Sequence, residues 1–224
     1  MAGCRQPARL PANPRRAIEE LSLADKHLGR AIKQLGPFPL PQRPADLHLL
    51  CASIIGQSIS MKAADSIVAR FTERAGPRAS LTPERVLAIP EEELKALGLT
   101  WGKAGALHGL ARVWAEQGWQ DDAVLRHAPD DAITAALCTV KGIGPWTAKM
   151  FLMFGLRRPD VLPQEDLGIR EGLRLLDGAA ERPTPREVVA RAEAWRPWRT
   201  VASVYLWQIV ARDRDQSLEG GGWW

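Results

Sequence analysis

The residues best suited to chemistry fall in two stretches. "VLPQEDLGIREGLRLL", residues 161–176, carries adjacent carboxylates, Glu165 and Asp166. A carboxylate held near a reacting carbon can stabilise developing positive charge or take a proton from water. "CTVKGIGPWTAKMFLMFG", residues 138–155, places Lys141 and a Gly142-Ile143-Gly144 turn ahead of an almost wholly apolar segment. Glycine tolerates positive φ and lets another backbone approach without a Cβ in the way. Pro145 suits the first position of a helix, so the amides of Gly144, Trp146 and Thr147 point out of the helix start. An anion is favoured there, and phosphate is the usual one. A lone Gly-x-Gly before a helix is nevertheless more often an ordinary tight turn. Asp166 is equally two-sided. Pro163 predicts a helix start that puts Glu165 and Asp166 in its first turn, where acidic residues complement the helix dipole whether or not they catalyse anything.

The elements that must position these groups read as helices. Thr82-Pro83 in "LTPERVLAI" and Thr184-Pro185 in "PTPREVVARAEAW" each pair an N-cap with a proline at the first helical position. "PADLHLLCASIIG", "SMKAADSIVARF", "GKAGALHGLARVWAEQG", "DDAITAALC" and "RPWRTVASVYLWQIVARD" carry apolar residues at helical spacing. Period-two alternation is scarce, so the chain reads as all-α, with about ten helices and short connections. Behind the glycine turn, Trp146, Met150 and Met153 share one stripe, and Lys149 is the segment's only charge. That pattern predicts a buried helix. Residues 1–14, rich in Pro, Arg and Ala, read as a flexible arm, residues 15–213 as the helical domain, and 214–224 as a flexible tail.

Composition narrows the partners. The 224 residues have a net charge of +4, a mild basic bias that permits a nucleic acid partner. Nine tryptophans stand against one tyrosine, and tryptophan offers flat π-surfaces for bases or cations. Cys4, Cys51 and Cys138 are widely spaced and odd in number, which argues against a disulfide framework and for a reducing cytoplasm. No apolar run has the length of a membrane span. His48, His108 and His127 have no metal-ligand spacing.

Taken together, "VKGIGPWTAKMF", "LPQEDLGIR" and "WRPWRTVASVYLW", in this order, resemble the helix-hairpin-helix DNA glycosylases, specifically their 3-methyladenine DNA glycosylase II branch. The resemblance spans roughly residues 43–212. It implies a two-lobed all-α helix-hairpin-helix fold with the active-site cleft between lobes and the hairpin motif at about 136–155. Asp166 matches the catalytic aspartate; Trp146 and Trp207 match aromatic walls of the base pocket. Met150 stands where relatives carry an aromatic ring, which implies a wider pocket. The hairpin, with Lys141, Gly142, Gly144, Trp146, Thr147 and nearby Arg170, matches the phosphate-gripping element. In relatives it also holds a monovalent cation, Na+ or K+, through backbone carbonyls, here those of Cys138, Val140 and Ile143. Gln57 and Ser58 in "IIGQSIS" match the plug that fills the gap left by an extruded nucleotide, although Ser58 departs from the bulky residue usual there.

The resemblance further implies a monomer acting on double-stranded DNA that contains alkylated bases. It would release 3-methyladenine and 7-methylguanine, with 1-methyladenine and 3-methylcytosine admitted by the wider pocket. No redox or organic cofactor is needed. Relatives that also cut the backbone carry a lysine at the second residue after the hairpin's last glycine; here that residue is Trp146, so a monofunctional enzyme is expected. Iron–sulfur relatives need four C-terminal cysteines, and none follows Cys138. The helices begin by about residue 15, which leaves no room ahead of them for the β-domain of some relatives. Two alternatives stay open: a glycosylase of the same superfamily for oxidised or mismatched bases, and a non-catalytic DNA-binding module.

Overall fold

The computed structural model describes residues 9–11, 14–37 and 40–214. Among them are thirteen α-helices and no strand. The all-α expectation holds, with more and shorter helices than the periodicity suggests. The chain divides into two compact units, one formed by Arg43–Phe151, the other by the described residues up to Gln42 and those from Leu152 on.

The first unit contains α3 (Leu47–Gly56), α4 (Met61–Ala75), α5 (Pro83–Leu87), α6 (Glu91–Ala96), α7 (Trp101–Glu116), α8 (Asp122–His127), α9 (Asp130–Cys138) and α10 (Pro145–Met150). Its centre is α7, whose Ala104, Leu107, Leu110, Ala111 and Trp114 are buried against α3, α5, α6 and α9. Thr82 and Pro83 start α5 as their types predict, and the Thr82 hydroxyl accepts the Arg85 amide. Asp46 caps α3 and is paired with Arg78 at 2.6 Å. Cys51 is buried, which pushes its thiol well up. It forms no disulfide, nor does Cys138.

The second unit contains α1 (Arg15–Ala24), α2 (Lys26–Leu35), α11 (Leu167–Asp177), α12 (Pro185–Arg191) and α13 (Arg199–Asp213). Helix α13 is its axis, buried from Thr200 to Trp207 and packed against α1, α2 and α11. Thr184 closes a capping box on α12 with Glu187. Asp25 joins α1 to α2. Its Oδ1 accepts the amides of His27 and Leu28, and its Oδ2 accepts the Trp195 indole at 2.8 Å and the Arg191 guanidinium at 2.6 Å.

Of the stretch read as an arm, residues 1–8, 12 and 13 lie outside the described residues. Leu10 is packed: its side chain is buried and its amide bonds the Arg157 carbonyl at 2.8 Å. Of the tail, only Arg214 is described. No helix among the described residues is long and apolar enough to cross a membrane.

Candidate active site

In the first unit, α9 and α10 pack as a pair, joined by residues 139–144. Val140 and Ile143 are buried and anchor the turn, while Lys141 and Gly142 are exposed. Gly142 has φ +96, a conformation open to glycine and strained for other residues. Gly144 does not need that freedom: as the N-cap of α10 it has φ −101 and ψ 175. A Cβ built on it would meet no atom within 4 Å. Its bareness is therefore unexplained by the protein's own packing and leaves the space above its amide clear. Among the described residues, the amides of Gly142, Gly144 and Thr147 make no hydrogen bond, and Lys141 has no ion pair. Thr147 itself is buried, so the accessible positions of the turn are Lys141, Gly142 and, in part, Gly144, followed by Trp146 at 37% exposure. The segment after Pro145 is as buried as its composition predicts, Met150 completely, and its last turn, Phe151–Gly155, winds as a π-helix.

The carbonyls of Cys138, Val140 and Ile143 fit a hard monovalent cation by donor type. The Val140 oxygen accepts the Ile143 amide at 2.9 Å, and no hydrogen bond reaches the oxygens of Cys138 or Ile143 among the described residues. No cluster of His, Cys, Asp or Glu there is suited to a metal ion.

Gln57 and Ser58 lie between α3 and α4. The Gln57 side-chain amide donates to the Gly142 carbonyl at 3.0 Å, tying this loop to the hairpin. Lys103 donates to the carbonyls of Ile55 and Gln57, both at 2.7 Å, and so closes the C-terminal end of α3. Partial burial lowers the Lys103 ammonium from its usual range. Ser58 takes φ +58 and caps nothing; Ser60 is the N-cap of α4. Gln57 is thus committed to the hairpin, while Ile59 (38% exposed) and Met61 (56%) are the apolar surfaces beside it. Sequence reading missed Lys103, whose partners are carbonyls 46 and 48 positions away.

In the second unit, Asp166 is the N-cap of α11, which begins at Leu167. The expected start at Pro163 is corrected: residues 163–166 form a turn closed by the Asp166 amide on the Pro163 carbonyl at 3.0 Å. The carboxylate takes the cap position because there it satisfies an orphan amide. Oδ1 accepts both the Ile169 amide at 2.8 Å and the Trp207 indole Nε1–H at 2.9 Å. Trp207 is buried on α13 and backed by Phe154, ring centroids 6.2 Å apart. Aspartate and tryptophan, 41 positions apart in sequence, form one polar pair. Arg170 donates Nε–H to the Pro183 carbonyl at 2.8 Å. A cavity of about 720 Å³ elsewhere in this unit, lined by His27, Arg30, Asp177 and Arg212 among others, includes none of the expected site residues.

Comparison with known proteins bears on both halves of this arrangement. DNA-3-methyladenine glycosylase 1 of Schizosaccharomyces pombe is 30% identical over 191 residues, covering 84% of each chain. A DNA-3-methyladenine glycosidase from Bacillus halodurans superposes with a TM-score of 0.80 at 31% identity, over 91% of this chain and 94% of that one. The S. pombe 3-methyladenine DNA glycosylase in complex with abasic DNA gives 0.73 at 28% identity, over 90% and 99%. Residues 51–197, from within α3 through the hairpin and the Asp166 cap to just short of α13, match the family described as HhH-GPD superfamily base excision DNA repair protein. By that match over more than half of its length, the chain belongs to the HhH-GPD superfamily of base excision DNA repair proteins.

Proposed function

We propose that this protein is a monofunctional DNA glycosylase that extrudes alkylated bases from double-stranded DNA and hydrolyses their glycosidic bond. The observation that carries this reading is the Asp166 carboxylate, fixed through Oδ1 by two N–H donors from different helices. A base inside a duplex is out of reach, so the nucleotide must leave the stack at a cost of a few kcal/mol. Lys141 and the amides of Gly142 and Gly144 hold phosphates without reading sequence. The terminal nitrogens of Arg170, whose Nε is already bonded, serve the same end. A monovalent cation held by the carbonyls of Cys138, Val140 and Ile143 would add positive charge to that grip.

An alkylated base already carries positive charge, which weakens its bond to the sugar. Trp146 and Trp207 offer π-faces to that cation, an interaction worth about 0.5–2 kcal/mol. As the C1′–N bond breaks, the electron pair leaves with the base and the sugar becomes oxocarbenium-like. Asp166 stabilises that cation and takes the proton of the water that adds to C1′. Met150, wholly buried, contributes by the space it leaves rather than by a surface it presents.

The test is single-turnover release from duplexes carrying 3-methyladenine, 7-methylguanine or neutral hypoxanthine, each normalised to its spontaneous hydrolysis. The cationic lesions should be accelerated more. Equal acceleration of all three would replace charge recognition with specific base contacts, and no release of any would remove the enzymatic reading.

A further inference from the structure

Helix α11 opens with glycines one turn apart, Gly168 and Gly172, on the side that faces α13. Neither has the positive φ that would require glycine. In a helix, glycine is less favourable than alanine by about 1 kcal/mol, so space is the remaining reason for both. The space serves different ends. A Cβ on Gly172 would lie 2.4 Å from the carbonyl oxygen of Leu206 and 2.8 Å from its carbon, both backbone of α13. Gly172 therefore sets how closely the two helices pack. The three atoms nearest a Cβ on Gly168 all belong to side chains: Trp207 Cδ1 at 2.8 Å, Trp207 Nε1 at 2.9 Å and Asp166 Oδ1 at 3.0 Å. These are the donor and acceptor atoms of the Trp207–Asp166 hydrogen bond, with the ring carbon beside the donor.

We propose that Gly168 is a positioning residue, whose missing side chain lets the Trp207 indole reach the Asp166 carboxylate and so fixes the orientation of that carboxylate. The proposal rests on the reading of Asp166 as the catalytic group. Unbonded carbons settle at about 3.5–4.0 Å, so a methyl at 168 forces a shift of roughly 0.5–1 Å. The Trp207 ring is buried with Phe154 close by, and Asp166 is held by the Ile169 amide. Neither end can yield without stretching the 2.9 Å bond between them. Misplacement on the order of 1 Å at a reacting group can cost about 100-fold in rate.

The experiment uses the full chain with Gly168→Ala, Trp207→Phe, their double variant, Gly172→Ala and Asp166→Asn. Four quantities are measured: single-turnover release of 7-methylguanine, affinity for a duplex bearing a tetrahydrofuran abasic analogue, thermal midpoint, and the indole N–H resonances of ¹⁵N-tryptophan protein. The Trp207 resonance is assigned by its loss in Trp207→Phe. Gly168→Ala should slow release about 10- to 100-fold, leave abasic-DNA affinity within about 3-fold, and move the Trp207 resonance towards an unbonded position. Phenylalanine has no N–H to give Asp166, so adding Gly168→Ala to Trp207→Phe has no such bond left to displace and should cost less than about 3-fold more. Gly172→Ala should instead lower the thermal midpoint.

An unmoved Trp207 resonance with wild-type release in Gly168→Ala overturns the proposal. So does an equal loss in both residue-207 backgrounds. If Gly168→Ala does not fold but the double variant does, the space at 168 is for Trp207, as proposed; if neither folds, it is not. Asp166→Asn separates the two levels. Wild-type release by that variant removes Asp166 as the catalyst, whereas its inactivity beside a normal Gly168→Ala removes Gly168 alone.

Discussion

Replacing Gly144 by alanine tests whether the hairpin offers its backbone to DNA. Its φ of −101 and ψ of 175 are open to any residue, and a Cβ there meets nothing within 4 Å. Two small effects on stability oppose each other. Alanine restricts the unfolded chain, a gain of about 0.4–1 kcal/mol, while alanine is a poorer N-cap than glycine by a comparable amount. The net change should stay within about 0.5 kcal/mol, or about 2 °C in Tm for a chain of this size. DNA binding should respond differently. If DNA packs onto the bare Cα while a phosphate takes the Gly144 amide, the new methyl group holds that phosphate away. A hydrogen bond to a charged group contributes about 1.5–3 kcal/mol, so affinity should fall at least ~10-fold. The assay is fluorescence anisotropy with abasic-analogue DNA across several salt concentrations. No charge is removed, so the slope of log K against log salt should keep its wild-type value. Gly142→Ala is the contrast: φ +96 strains alanine by about 1–2 kcal/mol, and the thermal midpoint should drop. A folded Gly144→Ala protein with wild-type affinity would refute the close approach of DNA to this stretch of backbone.

Two further outcomes follow from single residues. Because Trp146 occupies the second position after Gly144, borohydride should trap no covalent protein–DNA adduct; a robust trapped band would show an amine acting as nucleophile. For Asp25, burial pushes the carboxyl up, but Arg191, the Leu28 amide and the Trp195 indole outweigh it and hold the value at about 2 against an ordinary 3.8. A depressed value means stability present above pH 3.8 and lost as pH falls towards 2, up to about 2 kcal/mol in all. The gap in unfolding free energy between wild type and Asp25→Asn should therefore narrow below pH 4; a constant gap from pH 7 to pH 3 would assign it to packing instead.

What could be read from sequence was local. Thr82-Pro83 and Thr184-Pro185 declare helix starts because the cap and the proline act on neighbouring amides. The burial of the segment after Pro145 is likewise written in its composition. Asp25 carried no such signal, since the residues that give it meaning, Arg191 and Trp195, lie 166 and 170 positions away. The Gln57–Gly142 bond, 85 positions apart, was equally hidden; it joins the loop of the expected plug to the hairpin. The misplaced start of α11 has a different cause. Proline at 163 is compatible with both a helix start and a turn, and only the destination of the Asp166 carboxylate decides between them. Gly168 and Gly172 are visible as a pair, but their unlike jobs depend on what α13 places opposite each.

Asp166 need not be either cap or catalyst, because one oxygen can serve the fold and the proposed chemistry together. Oδ1 satisfies an orphan amide of α11 and the indole of α13, two demands that exist in the absence of DNA. The carboxylate is thereby oriented before any substrate arrives, which would leave the proposed reacting step little reorganisation. The same arrangement makes asparagine an informative replacement. Its side-chain oxygen caps a helix about as well as aspartate's and can still accept from both Ile169 and Trp207. Alanine, by contrast, removes a cap worth about 1 kcal/mol and strands a buried indole N–H, for about 1–3 kcal/mol more. Asp166→Asn therefore subtracts the charge and keeps the scaffold, while Asp166→Ala subtracts both. A group that acts only as a cap would separate alanine from asparagine by stability and leave both releasing base at the wild-type rate. A group that acts on a cationic sugar makes both far slower than wild type, because both lack the charge, and different from each other only in how well they stay folded.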